Sequence, residues 1–373
     1  MIDLDLSDEQ RAVAELTRSL GLSVLWPVAR AAEAAGSLPA NVAAALHETG
    51  LTTPVAEHHG GGGIPDAVTQ VLAVEGLAYG DPGLTVAAVW RGAAALLIGL
   101  CGTEEQQAAF LPAMASDGAR HSAVALYEAF GRSPSELATT ITERADGSWH
   151  VAGRKVGVSS AASADPLVVV GRDANDGRLR AAIVSTAGAG VNVEAVARNL
   201  ALDAAALGSL SIDSEVSGER LLGGAAADPV VLGRAVGRLR LAVAAAALGT
   251  AHRAVDYASN YATGRVAFGR PIAAFQGVSF MMAEALTRIT AARLEVHEAA
   301  ARIDGSADGT ERAVTLAMNY AGVVATQSTR DAVQVLGGHG FITDHPVELW
   351  YRSAAALSAL DFDPLCSSFE PVL

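Results

Sequence analysis

The sequence predicts an α+β protein with three consecutive domains: an N-terminal helical domain (1–119), a middle β domain (120–225) and a C-terminal helical bundle (226–373). Three observations predict it. Capping boxes and apolar residues at helical spacing fill the first third. Near His121 the pattern changes to short β-branched or alternating runs divided by glycine-containing turns. Helical periodicity returns near Asp228 and runs to about Leu360. The order lacks strand–helix alternation, and no G-x-G-x-x-G follows a strand, so a Rossmann domain is not expected.

The elements follow in order. Ser7-Asp-Glu-Gln10 is a capping box that opens a helix over 11–20. Pro39 opens a second helix over 40–49, and Gly50 closes it. The loop 57–63 separates two helical blocks; its run of glycines has no GK[ST] after it and is not a phosphate-binding loop. Thr103-Glu-Glu-Gln106 is a second capping box, opening a helix toward Met114. Strands are expected at 139–143, 149–159, 166–172, 179–185, 191–197 and 209–214, a set that suits a small barrel or sandwich. The C-terminal helices are interrupted at 264–275 and 337–346. The small residues of 242–249 favour close helix packing and a dimer or dimer of dimers.

Composition narrows the function. Acidic residues outnumber basic ones 40 to 26, giving a net charge of −14, which disfavours nucleic acid and anionic membranes as partners. A mean hydropathy of +0.31 excludes a largely disordered chain. No stretch reads as long enough to cross a bilayer, the best being 93–101, and the N-terminus does not read as a signal peptide. Cys101 and Cys366 are too few and too far apart for a disulfide framework, so a cytoplasmic location is expected. No H-E-x-x-H or C-x-x-C spacing supports a metal. His58 and His59 read as loop residues, and Cys366 lacks an identifiable base.

Three segments together resemble the acyl-CoA dehydrogenase family of flavoproteins, over nearly the whole chain. Arg265-Val-Ala-Phe268-Gly269-Arg-Pro-Ile-Ala-Ala-Phe-Gln276 is similar to its R-x-x-F-G signature. Gln334-Val-Leu-Gly337-Gly338-His-Gly-Phe341, with Pro346-Val-Glu-Leu-Trp-Tyr-Arg352, is similar to its Q-x-x-G-G-x-G motif. Glu128 to Lys155 aligns with its Glu-Pro-Gly-x-Gly-Ser segment and the strand after it. The resemblance implies FAD as cofactor, an acyl-CoA thioester as substrate, a trans-2-enoyl-CoA as product and an electron-transferring flavoprotein or similar acceptor. It also implies a place in fatty acid or steroid catabolism of the β-oxidation type.

The residues carry chemistry of their own. A guanidinium pairs bidentately with a pyrophosphate. The resemblance places Arg265 and Phe268 against the FAD of the adjacent subunit; read singly, they are a surface arginine and a core phenylalanine. Gln334, Gly337 and Gly338 suit a turn where backbone approaches a nucleotide, or a tight inter-helix turn. Gln276, Ser133 and Ser159 complete the expected cofactor set, Ser159 standing where the family has Thr.

The chain departs from the family in three places. Ala129, Phe130 and Arg132 stand where the Glu-Pro-Gly-x-Gly-Ser segment has Pro and Gly, leaving Glu128 and Ser133. Arg132 could also meet a CoA phosphate. Gly157 replaces the aromatic beside the isoalloxazine, which would widen the pocket toward a bulky acyl group. Asp361 falls nine residues after Arg352, in the register of the late catalytic Glu, and Leu239 occupies the alternative helix-borne register. Asp361 can act as base but is a methylene shorter than Glu; Asp363 is a weaker candidate, and a His339–His345–Asp344 base is less simple than a polar turn. Three readings follow: a dehydrogenase with Asp361 as base; a silent or half-site subunit of a hetero-oligomer, similar to divergent actinobacterial subunits of steroid catabolism; or a flavin-free binding scaffold.

Overall fold

The structure is a computed structural model that describes residues 5–116, 121–128, 136–194 and 198–361. Helix α1 (Asp8–Leu20) begins at the expected capping box. Ser7 Oγ accepts from the Gln10 amide at 3.1 Å, and Gln10 Oε1 accepts from the Ser7 amide at 3.0 Å. A π turn (Gly21–Leu25) and a 3-10 turn (Trp26–Val28) lead into α2 (Ala29–Ala35). Helix α3 (Ala40–His47) starts after Pro39, which lacks an N–H that would go unpaired there. Then follow α4 (Ala67–Gly80), α5 (Pro82–Val89), α6 (Ala93–Cys101) and α7 (Glu104–Ser116). The second capping box is present, and Gln106 does more than cap. Its amide nitrogen donates to the carbonyls of Glu219 and Leu221 at 2.8 and 2.7 Å, tying α7 to the chain just before the C-terminal helices.

The segment Pro82–Cys101 corrects one expectation. It runs 20 residues with a mean hydropathy of 1.8, long and apolar enough to cross a membrane by length and composition. The 3-10 turn Trp90–Gly92 divides it into α5 and α6, and 72% of it is buried inside the protein. Burial among other apolar side chains accounts for its composition.

The middle of the chain forms β1 (Ala123–Ala125), β2 (Thr140–Glu143), β3 (Trp149–Val158), β4 (Leu167–Arg172), β5 (Leu179–Val184), β6 (Val191–Glu194) and β7 (Gly208–Val216). They make one sheet in the order β1-β4-β2-β3-β7-β6, with β5 on β4. Strand β1 was not expected from the sequence. It pairs parallel to β4, Ala123 opposite Leu167, and its side chains are all buried, so it carries no alternation to read. The long strand β3 pairs antiparallel with both β2 and β7. Its register with β7 shifts between Lys155 and Val158, and Gly157 in that bulge has φ +63°.

Helix α8 (Pro229–Gly264) follows, then a hairpin of β8 (Val266–Ala267) and β9 (Arg270–Pro271), α9 (Gln276–Asp304), α10 (Thr310–Leu336) and α11 (Val347–Ser358). The chain divides into two compact units that do not follow chain order. One comprises Met1–Ala29, Ala67–Thr85 and Arg240–Ala359; the other comprises Arg30–Asp66, Val86–Leu239 and Leu360–Leu373. In the second unit, α6 packs with Val124, Val168, Ile183 and the first turns of α8, through Leu232, Val236 and Leu239.

The first unit is helical apart from its hairpin. Both carboxylate oxygens of Asp304, at the end of α9, accept from the Ala67 amide at 2.8 and 3.0 Å, capping α4. Helix α4 then approaches its neighbours backbone to backbone. A methyl on Gly80 would strike the carbonyl of Gly21, one on Gly76 the Thr17 hydroxyl, and one on Gly249 the carbonyl of Glu75. A Gly249→Ala substitution therefore tests the packing. Helix propensity favours alanine by about 1 kcal/mol, yet overpacking costs about 1–3 kcal/mol. Urea unfolding is expected to show net destabilisation; a more stable variant would mean that α4 and α8 have room to part.

Candidate functional site

The first group of candidate residues lies at the exposed end of the helical unit. Tyr261, near the end of α8, hydrogen-bonds His339 Nδ1 through its hydroxyl at 2.7 Å, and Tyr257 hydrogen-bonds His345 Nδ1 at 2.8 Å. The two imidazoles stack with centroids 5.4 Å apart. These pairs fasten the turn after α10 to α8, which brings the Gln334-Gly337-Gly338 motif to the helix that leads into Arg265. His339 and His345 thus hold the turn, in keeping with the simpler of the two readings.

On that frame the residues expected to hold a cofactor face outward. Arg265, Gln276, Gln334, Gly337 and Gly338 are exposed, and Phe268 at the hairpin tip is 96% exposed. The Arg265 backbone is fixed, its N–H donating to Tyr261 and its carbonyl accepting from Ile272. Phe268 has φ +52°, and its ring meets Phe275 edge-on at 6.2 Å. Gly337 has φ +58°, a conformation that disfavours a side chain, and a Cβ on Gly337 or Gly338 would meet nothing within 4 Å. An arginine, an aromatic ring and an open glycine cradle fit a phosphate-bearing aromatic cofactor.

The second group lies in the sheet-containing unit. Lys155 on β3 is fully buried and donates to Glu128 Oε1 at 2.8 Å and to the Leu126 carbonyl at 3.0 Å. The Glu128 carboxylate also accepts from the amides of Ala138 and Thr139 at 2.6 and 2.9 Å, so one side chain pins both ends of the connection between 128 and 138. Burial pushes Glu128 up, but Lys155 and the hydrogen bonds from Ala138 and Thr139 outweigh it and hold the carboxyl below its ordinary value. Burial pushes Lys155 down to about 8, against the pull of Glu128 and, further off, of Asp361. Asp361 therefore stands within the field of the Lys155 cation. Leu239 is buried and apolar among the α8 contacts of this unit.

Gly157 corrects the expectation of a widened pocket. A Cβ there would lie 3.2 Å from a δ carbon of Leu360 and 3.4 Å from the Tyr127 ring. The space is filled by this chain's own residues, and the backbone conformation itself favours glycine. Ser159 is buried and its hydroxyl donates to the Ala205 carbonyl at 3.1 Å, leaving it an acceptor. Ser133, with Ala129, Phe130 and Arg132, lies outside the described residues, as do Asp363 and Cys366. Burial pushes the Cys101 thiol up to about 12, so it offers no thiolate near neutral pH. No cluster of three or more potential metal ligands occurs among the described residues.

Comparison with known proteins decides the family. Residues 7–118 match the acyl-CoA dehydrogenase N-terminal domain, and residues 230–361 match the acyl-CoA dehydrogenase C-terminal domain. An acyl-CoA dehydrogenase of Bacillus subtilis is 31% identical over 360 residues, covering 94% of this chain and 93% of that protein. The chain belongs to the acyl-CoA dehydrogenase family. Among solved structures, butyryl-CoA dehydrogenase from Megasphaera elsdenii superposes with a TM-score of 0.84 at 27% identity, covering 98% of this chain and 97% of that one. A glutaryl-CoA dehydrogenase from Mycobacterium smegmatis in complex with FADH2 shares the fold, with a TM-score of 0.84 at 20% identity over 97% and 92% of the two chains. The acyl-CoA dehydrogenase fold, with helical ends and a curled middle sheet, is the architecture expected from the sequence.

The buried pair in this acyl-CoA dehydrogenase fold is open to test. Glu128→Gln strands the Lys155 ammonium, and losing one partner of a buried pair costs about 3–5 kcal/mol. Adding Lys155→Met should recover part of that loss, because no buried charge then remains. Urea titration of both variants checks the order, and a double variant weaker than Glu128→Gln alone would refute it. The acid dependence has a definite sign. A depressed carboxyl contributes fully above its ordinary pKa of 4.5, and the contribution is lost as pH falls through the lower folded value. The stability gap between the parent and Glu128→Gln should therefore close as pH drops below 4.5.

Proposed function

We propose that this chain is an FAD-dependent acyl-CoA dehydrogenase that converts an acyl-CoA thioester into a trans-2-enoyl-CoA. The observation that carries the reading is the outward-facing group of Arg265, Phe268 and the open Gly337–Gly338 turn, fastened together through Tyr261 and His339. FAD, once bound, supplies the hydride acceptor for the β hydrogen. Arg265 pairs with the pyrophosphate, Phe268 covers an aromatic face, and Gln276 and Gln334 offer amide hydrogen bonds. All these side chains point to solvent, which supports a cofactor shared with a second subunit, in a homo-oligomer or with a related chain. Asp361 takes the α proton, as a carboxylate can from an activated α carbon. An electron-transferring flavoprotein or similar acceptor then takes the electrons. The butyryl-CoA and glutaryl-CoA relatives support a thioester of coenzyme A as the substrate class.

One observation favours a second reading, a half-site subunit that completes a partner's site. Leu360, the residue before Asp361, packs on Gly157 with Tyr127 beside it, so the strand that would face a flavin is covered by the chain itself.

Anaerobic mixing with a panel of acyl-CoAs, followed by flavin bleaching, tests both. General-base contributions run to about 10²–10⁴-fold, so Asp361→Asn should slow bleaching at least about 100-fold while flavin stays bound. Undiminished bleaching would remove Asp361 from the role. A parent that bleaches only after a homologous subunit is added would establish the half-site reading. Arg265→Ala should lower the flavin retained through gel filtration, as loss of a charge-assisted contact costs about 1.5–3 kcal/mol. An unchanged flavin-to-protein ratio in an intact oligomer would refute that assignment.

A further inference from the structure

Of the 26 lysine and arginine residues, 25 are arginine, and Lys155 is the one lysine. Guanidinium groups stay protonated in proteins and offer no nucleophilic nitrogen. The Lys155 amine is therefore the only side-chain nitrogen of the chain that forms a stable amide. It has no solvent exposure. Two of its three N–H donors are taken by Glu128 Oε1 at 2.8 Å and the Leu126 carbonyl at 3.0 Å. Its strand is held on both edges there. Lys155 pairs with Leu210 of β7, and the next amide, of Val156, donates to the Tyr127 carbonyl. A reagent reaches Nζ only if the sheet opens. Burial pushes the amine down from 10.5 to about 8. At pH 8 a large share of such an amine is neutral, against less than about 1% of an ordinary lysine. Lack of access, and not protonation, shields it in the folded chain.

We propose that Lys155 is an acylation site gated by folding: it takes an acyl group from a thioester only when the sheet-containing unit is open, and the amide so formed keeps that unit from closing. The neutral amine attacks the thioester carbonyl. A C–N bond forms, the C–S bond breaks, and the departing thiolate takes the proton that the nitrogen gives up. The product carries no charge, so Glu128 loses its counter-ion at a buried position. The acyl group also has no space, because the lysine is enclosed on all sides. Cys101 does not compete for the acyl group. Burial pushes its thiol up to about 12, which leaves no thiolate near neutral pH. The donor class rests on the reading above, in which substrate and product are both thioesters; the gating rests on Lys155 and Glu128 alone.

The test applies acetyl-CoA at pH 8 to the full chain, folded in buffer and unfolded in urea. Hydroxylamine then removes thioesters and esters, and peptide mass spectrometry reads the amides that remain. The unfolded chain should carry acetyl on Lys155. The folded chain should acquire it at least about 100-fold more slowly, because about one molecule in 10³ or fewer is open at a time. On dilution from urea, untreated chains should regain the native near-UV circular dichroism, and chains acetylated at Lys155 should not. The double variant Glu128→Gln, Lys155→Met has no lysine and should refold equally with and without treatment. Should it fail to fold, the parent still decides the matter: acetylated Lys155 should be confined to the fraction that does not refold. Equal rates in folded and unfolded chains would overturn the gating. Acetylated Lys155 in the refolded fraction, or an equal loss of refolding in the lysine-free variant, would overturn the block. Neither readout involves dehydrogenase activity, so failure here is distinct from failure of the proposed function.

Discussion

An ammonium group with no solvent exposure is tolerable only beside a counter-charge, and Lys155 has one in Glu128 at 2.8 Å. Much of the sheet-containing unit is arranged around that requirement. The same carboxylate takes the Ala138 and Thr139 amides, so a charge helps close the base of the long connection between β1 and β2. The Lys155 stem enters from β3, and the strand leaves the β7 register immediately afterwards, at Gly157. That bulge makes the space which Leu360 occupies, and Asp361 follows directly. The carboxylate proposed as the base is therefore placed by a chain of constraints that begins at a buried cation.

The helical unit meets the opposite requirement. The residues proposed to hold the cofactor are held at their bases and left open at their tips. Tyr257 and Tyr261 fix two imidazoles, the imidazoles fix a glycine turn, and the Arg265 backbone is bonded on both sides, yet the guanidinium and the Phe268 ring face solvent. Such a surface is ordered before anything binds to it, which lowers the entropy a ligand or partner must surrender on docking.

Features governed by neighbours in sequence were legible in the sequence. Both capping boxes are hydrogen-bond loops of four residues, and both are where the residues imply. Strands β2 to β5 and β7 fall within two residues of their expected bounds, because β-branched runs and turn residues punctuate them. Partners distant in the chain were not legible. Lys155 and Glu128 are 27 residues apart, and nothing local marks them as a pair. Gly157 announces a missing side chain, but the residue that fills its space lies at the other end of the protein. The apolar run at Pro82–Cys101 is masked by Trp90 and Arg91, which divide it into two short pieces although its mean hydropathy is still 1.8. The tyrosines that hold His339 and His345 come from a helix 78 and 88 residues earlier, so their role could be named only as a polar turn.

The three glycines at which α4 meets its neighbours also bear on how such a chain can change over time. Gly76, Gly80 and Gly249 each face backbone or side-chain atoms that a single methyl would strike. Every base change in a glycine codon that alters the residue adds atoms, and none removes them. At these positions variation can run only toward collision, whereas a core leucine can drift through methionine or isoleucine and back at small cost. The contacts of α4 therefore act as a ratchet on divergence. Descendants can exchange the surrounding alanines and valines widely, but a step at these three sites needs the facing helix to move first.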